Sequence, residues 1–497
     1  MKRGTIPLCE ILVWLNRQEF EYDVYSLVRA FYPGSQVDVR CMEEFPEETQ
    51  PLRGEQIFLK AWCGSGEIYV EYKRAGEAAS GEAVPDLQEK SRFEEKNCLK
   101  QVLYQVLKRA TGRVLEWGTL TGIRPVKLAE GLLEAGRSPQ EARRDMQEKY
   151  YLSDTKSRLC VEIACREEDV LKSLDYRQGY SIYVGIPFCP SICMYCSFSS
   201  YPLDRWKNRV DEYVDILCRE MKAVSGFMAG KELHTLYIGG GTPTTLSPVQ
   251  MEKVLSCLEE TFSLAHLREF TVEAGRPDSI TREKLQVLKE HPVTRISVNP
   301  QTMNQDTLDF IGRRHTTEDT RQAFELAREM GFDNINMDLI AGLPKEGIRE
   351  VENTLEQIRD LGPDSLTMHS LAVKRAARLR LFSEEHRELT FENSSKIMDM
   401  ADSCARDMGM VPYYLYRQKN MAGNLENVGY AKPKQAGVYN VLMMEEKQSI
   451  IALGAGSTSK RVYPDGRVER CENVKDVALY IQKIDEMIDR KRRIGLG

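Results

Sequence analysis

The 497-residue chain has no apolar run near the roughly 18 residues that a membrane-spanning helix needs, so a membrane-spanning protein is not expected. It has no excess of positive charge either: 69 Lys and Arg stand against 75 Asp and Glu, a net charge of −6. A general nucleic-acid binder is therefore not expected. The opening MKRGTIPLCEILVW has too short an apolar core, with acidic residues too close by, for a secretory signal. No internal repeat or low-complexity tract is present. The 13 cysteines are too sparse for a secreted disulfide framework. Reduced thiols and a cytoplasmic location are the expectation. What remains, 42% hydrophobic and 29% charged residues, is the composition of a globular protein of two or three domains.

Ten cysteines are scattered and read as small buried hydrophobes or inert surface thiols. The other three, Cys189, Cys193 and Cys196, lie within GIPFCPSICMYCSF. A closed zinc site takes four Cys or His ligands, and the next histidine downstream is His234, inside a strand-like segment. A ferredoxin-type cluster takes a fourth cysteine at a set offset, where Ser197 and Phe198 stand instead. Three thiolates without a fourth suit a [4Fe-4S] cluster with one iron left open to a ligand. Structural zinc is the competing reading.

From Tyr180 onward, short apolar strands alternate with amphipathic helices. Strands are predicted at 182–186, 234–238, 269–273, 295–298, 334–340 and 365–371. Ser247, Pro248 and Gln250 form a helix-start signature, with Met251, Val254, Leu255, Leu258 and Phe262 as its apolar stripe. A second helix runs from Thr317 to Met330 and stops at Gly331. Six βα units predict a parallel sheet with its ligand site at the C-terminal strand ends. Cys189, the Gly239-Gly240-Gly241-Thr242 turn, Glu273, Asn299, Gln301, Asp338 and Ala372 all fall there by chain order. The triple glycine lets backbone approach a ligand closely. It is neither a P-loop nor a dinucleotide fingerprint, since no Gly-Lys-Ser/Thr follows and the G-x-G-x-x-G spacing is absent. Glu273 and Asp338 are carboxylates in apolar strands, where burial demands partners: an internal salt bridge, or the hydroxyls of a ribose. Arg313 lies on the same rim.

YVGIPFCPSICMYC, IGGGTPTTL, the Glu of TVEAGRPD, NPQTMN, IGRRHT and MDLIAGLP resemble, in order and spacing, radical S-adenosylmethionine (SAM) enzymes of the oxygen-independent coproporphyrinogen III oxidase family. YLYRQKNMAGNLENVGYA and ALGAGSTSK are similar to its HemZ-type coproporphyrinogen dehydrogenase branch. The resemblance covers about residues 178–460, and LTGIRPVKLAEGLLEAG at 120–136 extends it upstream. It implies a partial (β/α)6 TIM-like barrel of the radical SAM type at 178–381. An N-terminal α+β domain would occupy 1–177, with a linker near 75–92. A mixed C-terminal extension at 382–497 would cover the substrate.

The resemblance further implies that Cys189, Cys193 and Cys196 hold a [4Fe-4S] cluster whose open iron is chelated by SAM. Gly240, Gly241 and Thr242 would line the methionine part of SAM, and Glu273 a ribose. Tyr183, Tyr195, Gln301, Arg313, Asp338, Ala372 and Thr458 match the remaining SAM-contacting positions. The implied reaction removes hydrogen, CO2 and an electron from two propionates of coproporphyrinogen III, leaving vinyls and giving protoporphyrinogen IX. It needs an electron donor for the cluster and a terminal electron acceptor. Two positions depart from the family pattern: Gly185 replaces a His and Phe198 a Cys. The alternatives are a haem-binding chaperone of the same family, whose His-Asn and Tyr-Trp signature is missing here, and another radical SAM reaction on a tetrapyrrole. Lys374, Arg375, Arg378 and Arg380 are candidates for propionate binding, and a solvated helix face is the competing reading. Tyr413, Tyr414, Tyr416, Tyr430 and Tyr439 could pack on a tetrapyrrole, or simply form core.

Overall fold

The computed structural model describes residues 9–46, 52–64, 66–85, 91–122, 124–372, 393–418 and 421–496. The basic run at 374–380 lies outside the described residues. The chain divides into two compact units, Met1–Val161 and Glu162–Gly497.

The first unit is a five-stranded sheet of β1 (Glu10–Leu15), β2 (Gln36–Cys41), β3 (Gln56–Gly64), β4 (Glu67–Arg74) and β5 (Ser80–Pro85), in the order β2-β1-β3-β4-β5. Ile57, Leu59, Ala61 and Cys63 alternate along β3 into the core with Ile68, Val70 and Tyr72 of β4, the period of two that a half-buried strand requires. Helices Glu21–Phe31 and Arg92–Thr111 cover that face. The second begins at a Ser91–Glu94 capping box and ends at Gly112, whose φ of +67° closes it. The Gly/Ala/Ser/Glu segment read as a linker is only partly one. From Ser80 it pairs antiparallel with β4 as the sheet edge. Backbone pairing needs no apolar side chain, and the Tyr69 ring lies across Gly81, which is why composition hid this strand.

In the second unit the six predicted strands form as β6 (Gly179–Ile186), β9 (Glu232–Gly240), β10 (Glu269–Gly275), β11 (Arg295–Val298), β12 (Ile335–Ala341) and β13 (Ser365–Ser370). Two-residue strands β7 (Phe188–Cys189) and β8 (Tyr201–Pro202) lie between the first two. The six are parallel neighbours in chain order, the partial barrel expected. The predicted helices form as well, at Pro248–Thr261 with its Ser247–Gln250 capping box and at Thr317–Glu329.

The segment beyond 382 does more than cover this sheet; it builds both of its edges. β14 (Val411–Tyr416) and β15 (Asn427–Ala431) add antiparallel beside β13. β16 (Ser449–Leu453) returns parallel to β6, and β17 (Thr458–Val462) and β18 (Val468–Glu472) follow it antiparallel. Among the described residues the sheet has eleven strands. Near the C-terminal end two helices, Val477–Gln482 and Ile484–Arg493, are separated where Lys483 leaves helical backbone geometry. Among the described residues no helix is long and apolar enough to cross a membrane.

One buried cluster ties these additions to the barrel. Glu220, on helix Val210–Val224, accepts from Lys491 Nζ at 2.7 Å, Tyr480 Oη at 2.6 Å, Asn473 Nδ2 at 2.9 Å and the Gly454 backbone N–H at 2.9 Å. Both charged side chains are fully buried. Removing one partner of such a pair leaves an uncompensated buried charge, which costs about 3–5 kcal/mol. Lys491→Met is therefore expected to lower unfolding stability by that order in urea denaturation, and the double variant Glu220→Gln/Lys491→Met to recover part of the loss.

Candidate functional site

The site begins with register. Gly185 and Ile186 of β6 pair with Gly239 and Gly240 of β9. Past the strand ends, Gly241 N–H donates to Ile186 O and Thr242 N–H to Phe188 O, both at 2.8 Å. The glycine turn thus lies flat against the start of the three-cysteine loop. A Cβ on Gly241 would sit 2.6 Å from Phe188 O and 3.0 Å from Cys189 Sγ, and one on Gly239 would sit 3.0 Å from the Glu273 carboxylate. Gly240 has a φ of +114°. Only bare backbone fits here.

Cys189 Sγ lies 3.5 Å from Thr242 Oγ1, and Cys196 Sγ lies 4.0 Å from Ser200 Oγ. Arg276 Nη1 points at Cys193 Sγ from 3.9 Å. The loop is pinned from outside by Met194 N–H to Ile311 O (3.0 Å) and Ser191 Oγ to Gly312 O (3.1 Å). All 13 cysteines are free thiols. Burial pushes the Cys189 thiol up to about 11 and raises that of Cys196. Thiols so placed ionise readily only against a metal, which deprotonates a coordinating thiol outright.

These thiols open into a cavity of about 680 Å³ that is lined by the three cysteines and by all eleven residues that the resemblance assigns to SAM contact. Glu273, near the end of β10, accepts from Tyr237 Oη at 2.5 Å. Burial, with Asp338 nearby, lifts its carboxyl to about 7 despite the bonds it accepts from Tyr237 and the Gly240 backbone. Burial opposes the charge on Asp338 of β12 too, but His369, Asn336 and Thr367 outweigh it and hold that carboxyl below its ordinary range. Asn336 Nδ2 donates to it at 2.7 Å, and His369 Nε2 lies 3.9 Å away. Arg313 is buried; it donates to the carbonyls of Asn299 and Pro300 and lies against Tyr195 and Cys193. Gln301 holds a φ of +70°, in a bridge to β12 through Asp338 O and the Ile340 N–H. Tyr183 stacks on Tyr237, which stacks on Tyr439 at 4.6 Å. Ala372 is bridged to Met421, and Thr458 enters at the start of β17.

Six buried polar atoms of residues lining this space have no hydrogen-bond partner in the protein: Ser297 Oγ, Asn299 Oδ1 and Gln301 Oε1 at the end of β11, with Arg295 Nε, Arg313 Nε and Gln418 Oε1. Orphaned acceptors along one strand end are what a polar ligand leaves when it is absent. The donor set also discriminates between metals. Among the described residues lining the cavity there are three thiols and one imidazole, His369, which is engaged by Asp338 and lies 3.5 Å from Tyr416 Oη. That suits a three-thiolate cluster and leaves a four-ligand zinc site incomplete.

The sequence reading missed Tyr237, Ser297, Asn336 and His369. Each lies two residues from a residue it named, on the same inward strand face, so period-two counting from Gly239, Asn299, Asp338 and Leu371 would have found them. It missed Arg276 as well, for which no periodic signal exists. Of the two departures, Phe198 lines the cavity mouth, exposed. A side chain at Gly185 would meet Leu453 O at 3.3 Å, so the β16 end occupies the room a larger residue would need.

Comparison with known proteins agrees with this geometry. Residues 183–358 match the model of the radical SAM superfamily. An oxygen-independent coproporphyrinogen-III oxidase-like protein, HemZ of Bacillus subtilis, is 41% identical over 82% of either chain. The chain belongs to this HemZ-type family of radical SAM proteins. The family's cofactors, a [4Fe-4S] cluster and SAM, are accordingly those of this protein. HemZ-type chains have relatives with another title: the heme chaperone HemW of Bacillus subtilis is 40% identical over 39% of this chain and 51% of its own. The solved coproporphyrinogen III oxidase HemN of Escherichia coli shares the fold, with a TM-score of 0.50 and 23% identity over 65% of this chain and 73% of its own.

The raised Glu273 carboxyl gives a pH test of the cofactor-free protein. A folded-state pKa of about 7 against the ordinary 4.5 means its contribution is fully present below about 4.5 and is lost as pH rises through 7. The stability of the wild type minus that of Glu273→Gln, from denaturant unfolding across pH, should fall between those limits and be flat on either side.

Proposed function

We propose that this protein catalyses the oxidative decarboxylation of two propionates of coproporphyrinogen III to vinyls, as a radical SAM oxidoreductase. The observation that carries the reading is the convergence, in one cavity, of three thiols, a bare-glycine turn, two carboxylates and the orphaned acceptors of the β11 end. Cys189, Cys193 and Cys196 would hold the cluster, next to the glycine turn that Cys189 Sγ approaches through Thr242 Oγ1. When bound, cluster and SAM together supply a 5′-deoxyadenosyl radical able to take hydrogen from an unactivated carbon.

The chain's own residues bind and orient. Gly240, Gly241 and Thr242 present backbone to the methionine moiety, Glu273 accepts from ribose hydroxyls, and Gln301 and Asp338 with Tyr183, Tyr195, Arg313, Ala372 and Thr458 complete the SAM wall. Away from the cysteines the cavity is lined by Tyr414 and Tyr416, parallel within 9° at 6.3 Å, and by Tyr439, Met443, Met444 and Lys460. An aromatic and thioether wall with a cation beside it suits a large apolar ring bearing carboxylates. A one-electron donor must reach the cluster, and an electron acceptor must take the electron released at each decarboxylation.

The second reading, a haem-binding chaperone, draws support from the relatives titled HemW. Anaerobic reconstitution with reductant, SAM and coproporphyrinogen III separates the two. The proposal expects 5′-deoxyadenosine, CO2 and vinyl products together. SAM cleavage without decarboxylated product sinks it, and stable haem binding without turnover supports the chaperone. Cys193→Ala is expected to lose the cluster's visible absorbance and SAM cleavage; retention of both refutes the ligand assignment. Because ribose hydroxyls donating to Glu273 lower its pKa, SAM binding near pH 7 should also release a fraction of a proton, read from calorimetry in buffers of different ionisation enthalpy, and Glu273→Gln should abolish that release.

A further inference from the structure

Arg276 is absent from the site as read from the sequence, yet every donor on its guanidinium is directed. It follows β10 immediately. There the pairing with β11 slips by one residue between Glu273 and Gly275, and Gly275 takes a φ of +57°. A bulge of this kind re-aims the next side chain, and Ser279 Oγ holds the turn by donating to Arg276 O at 2.7 Å. The side chain that results is 3% exposed. Asp278 grips one edge of it with both oxygens, from Nε at 2.9 Å and from Nη2 at 2.7 Å. The remaining nitrogen, Nη1, donates to Ser191 Oγ at 2.7 Å and Ser191 O at 3.2 Å, and reaches Cys193 Sγ at 3.9 Å. The fork on Asp278 fixes the plane, so the third edge can address only the cysteine loop.

A buried cation that must be neutralised could simply point at its carboxylate and stop. Here it is held so that the edge not gripped by Asp278, bonded to Ser191, also faces the middle thiol of the three-cysteine motif. Hydrogen bonds to cluster sulfurs and net charge around the cluster are among the terms that set its reduction potential. A cation beside a ligand sulfur favours the reduced, more negative state.

We propose that Arg276 is a positioning residue for the iron–sulfur cluster: clamped by Asp278, it fixes the loop that carries Cys193 and holds positive charge against that ligand's sulfur, raising the cluster's reduction potential, while Asp278 attenuates the effect. The proposal rests on the three-cysteine ligand assignment above.

The test uses the full chain reconstituted anaerobically, with iron content and the reduction potential from EPR-monitored potentiometry. Arg276→Gln leaves the Asp278 carboxylate without its cation, so the potential should fall. The expected size is at least tenfold in the reduced-to-oxidised ratio at fixed applied potential, about 59 mV for a one-electron couple. Asp278→Asn removes the anion and should shift the potential upward. General damage to the fold would not move the two variants in opposite directions. Arg276→Lys keeps the charge without the fork and should fall between wild type and Arg276→Gln. If Arg276→Gln fails to hold iron, the signs of the Lys and Asn variants decide. Unchanged potentials with four irons retained, or shifts of one sign in both charge variants, overturn the inference. A wild type that assembles no four-iron cluster overturns instead the ligand reading beneath it.

Discussion

The pairing of β6 with β9 governs the site. Because both strands run parallel and in register to their ends, the chain leaves them side by side, one as the cysteine loop and the other as the glycine turn. The two backbones then bond directly, Gly241 to Ile186 and Thr242 to Phe188. A side chain at 239 or 241 would break this contact, since its Cβ would overlap the Glu273 carboxylate or the Phe188 carbonyl. The glycines have two functions in one turn. They leave room for a ligand, as close-approach glycines do, and they let the first cysteine lie directly against the turn, with Cys189 Sγ 3.5 Å from Thr242 Oγ1. The remaining strand ends hang polar side chains around that fixed point.

This explains why the central sheet was legible in the sequence and its edges were not. The six parallel strands are short apolar runs set between amphipathic helices, so each is recognisable from its own residues. β15 and β16 join the sheet by long-range pairing, with β13 and β6, and β14, β17 and β18 then pair on to them. β16 sits beside β6 although some 270 residues separate Ser181 from Ile450 along the chain. Nothing in SIIAL says which strand it joins. β5 was hidden for a related reason: Ser, Gly, Glu and Ala at an exposed edge carry no hydrophobic period, and only the backbone of β4 defines them. The candidate site was legible where chemistry imposes spacing, as in the cysteine loop and the carboxylates. It was silent where a single backbone irregularity aims a side chain, as at Arg276.

The C-terminal segment is as much part of the site as the barrel. Gly454 donates to the buried Glu220, and Ala455 N–H donates to Tyr213 Oη, which in turn bonds Gly185 O at 2.7 Å. Through these bonds the loop before β17 is fastened to the end of β6, and Thr458 arrives at the cavity. The same loop fills the space beside Gly185, so the loss of a side chain there and the close approach of the C-terminal strands are one structural choice.

The distribution of unmet polar demand follows from that choice. Glu220 and Lys491, both fully buried, have every charge answered by Tyr480, Asn473 or each other. Ser297, Asn299 and Gln301, at the cavity wall, do not, and Gln301 holds a left-handed backbone besides. Leaving a buried polar group unbonded costs about 1–3 kcal/mol, and a non-glycine residue in the left-handed region adds to that. Such costs persist only when surrounding structure overdetermines the geometry. The saturated network behind β6 and β16 supplies rigidity on one side, and the double bridge of Gln301 to β12 supplies it on the other. The wall is thus held rigid on both sides, and the unmet hydrogen bonds of the β11 end face the space where a polar cofactor can complete them.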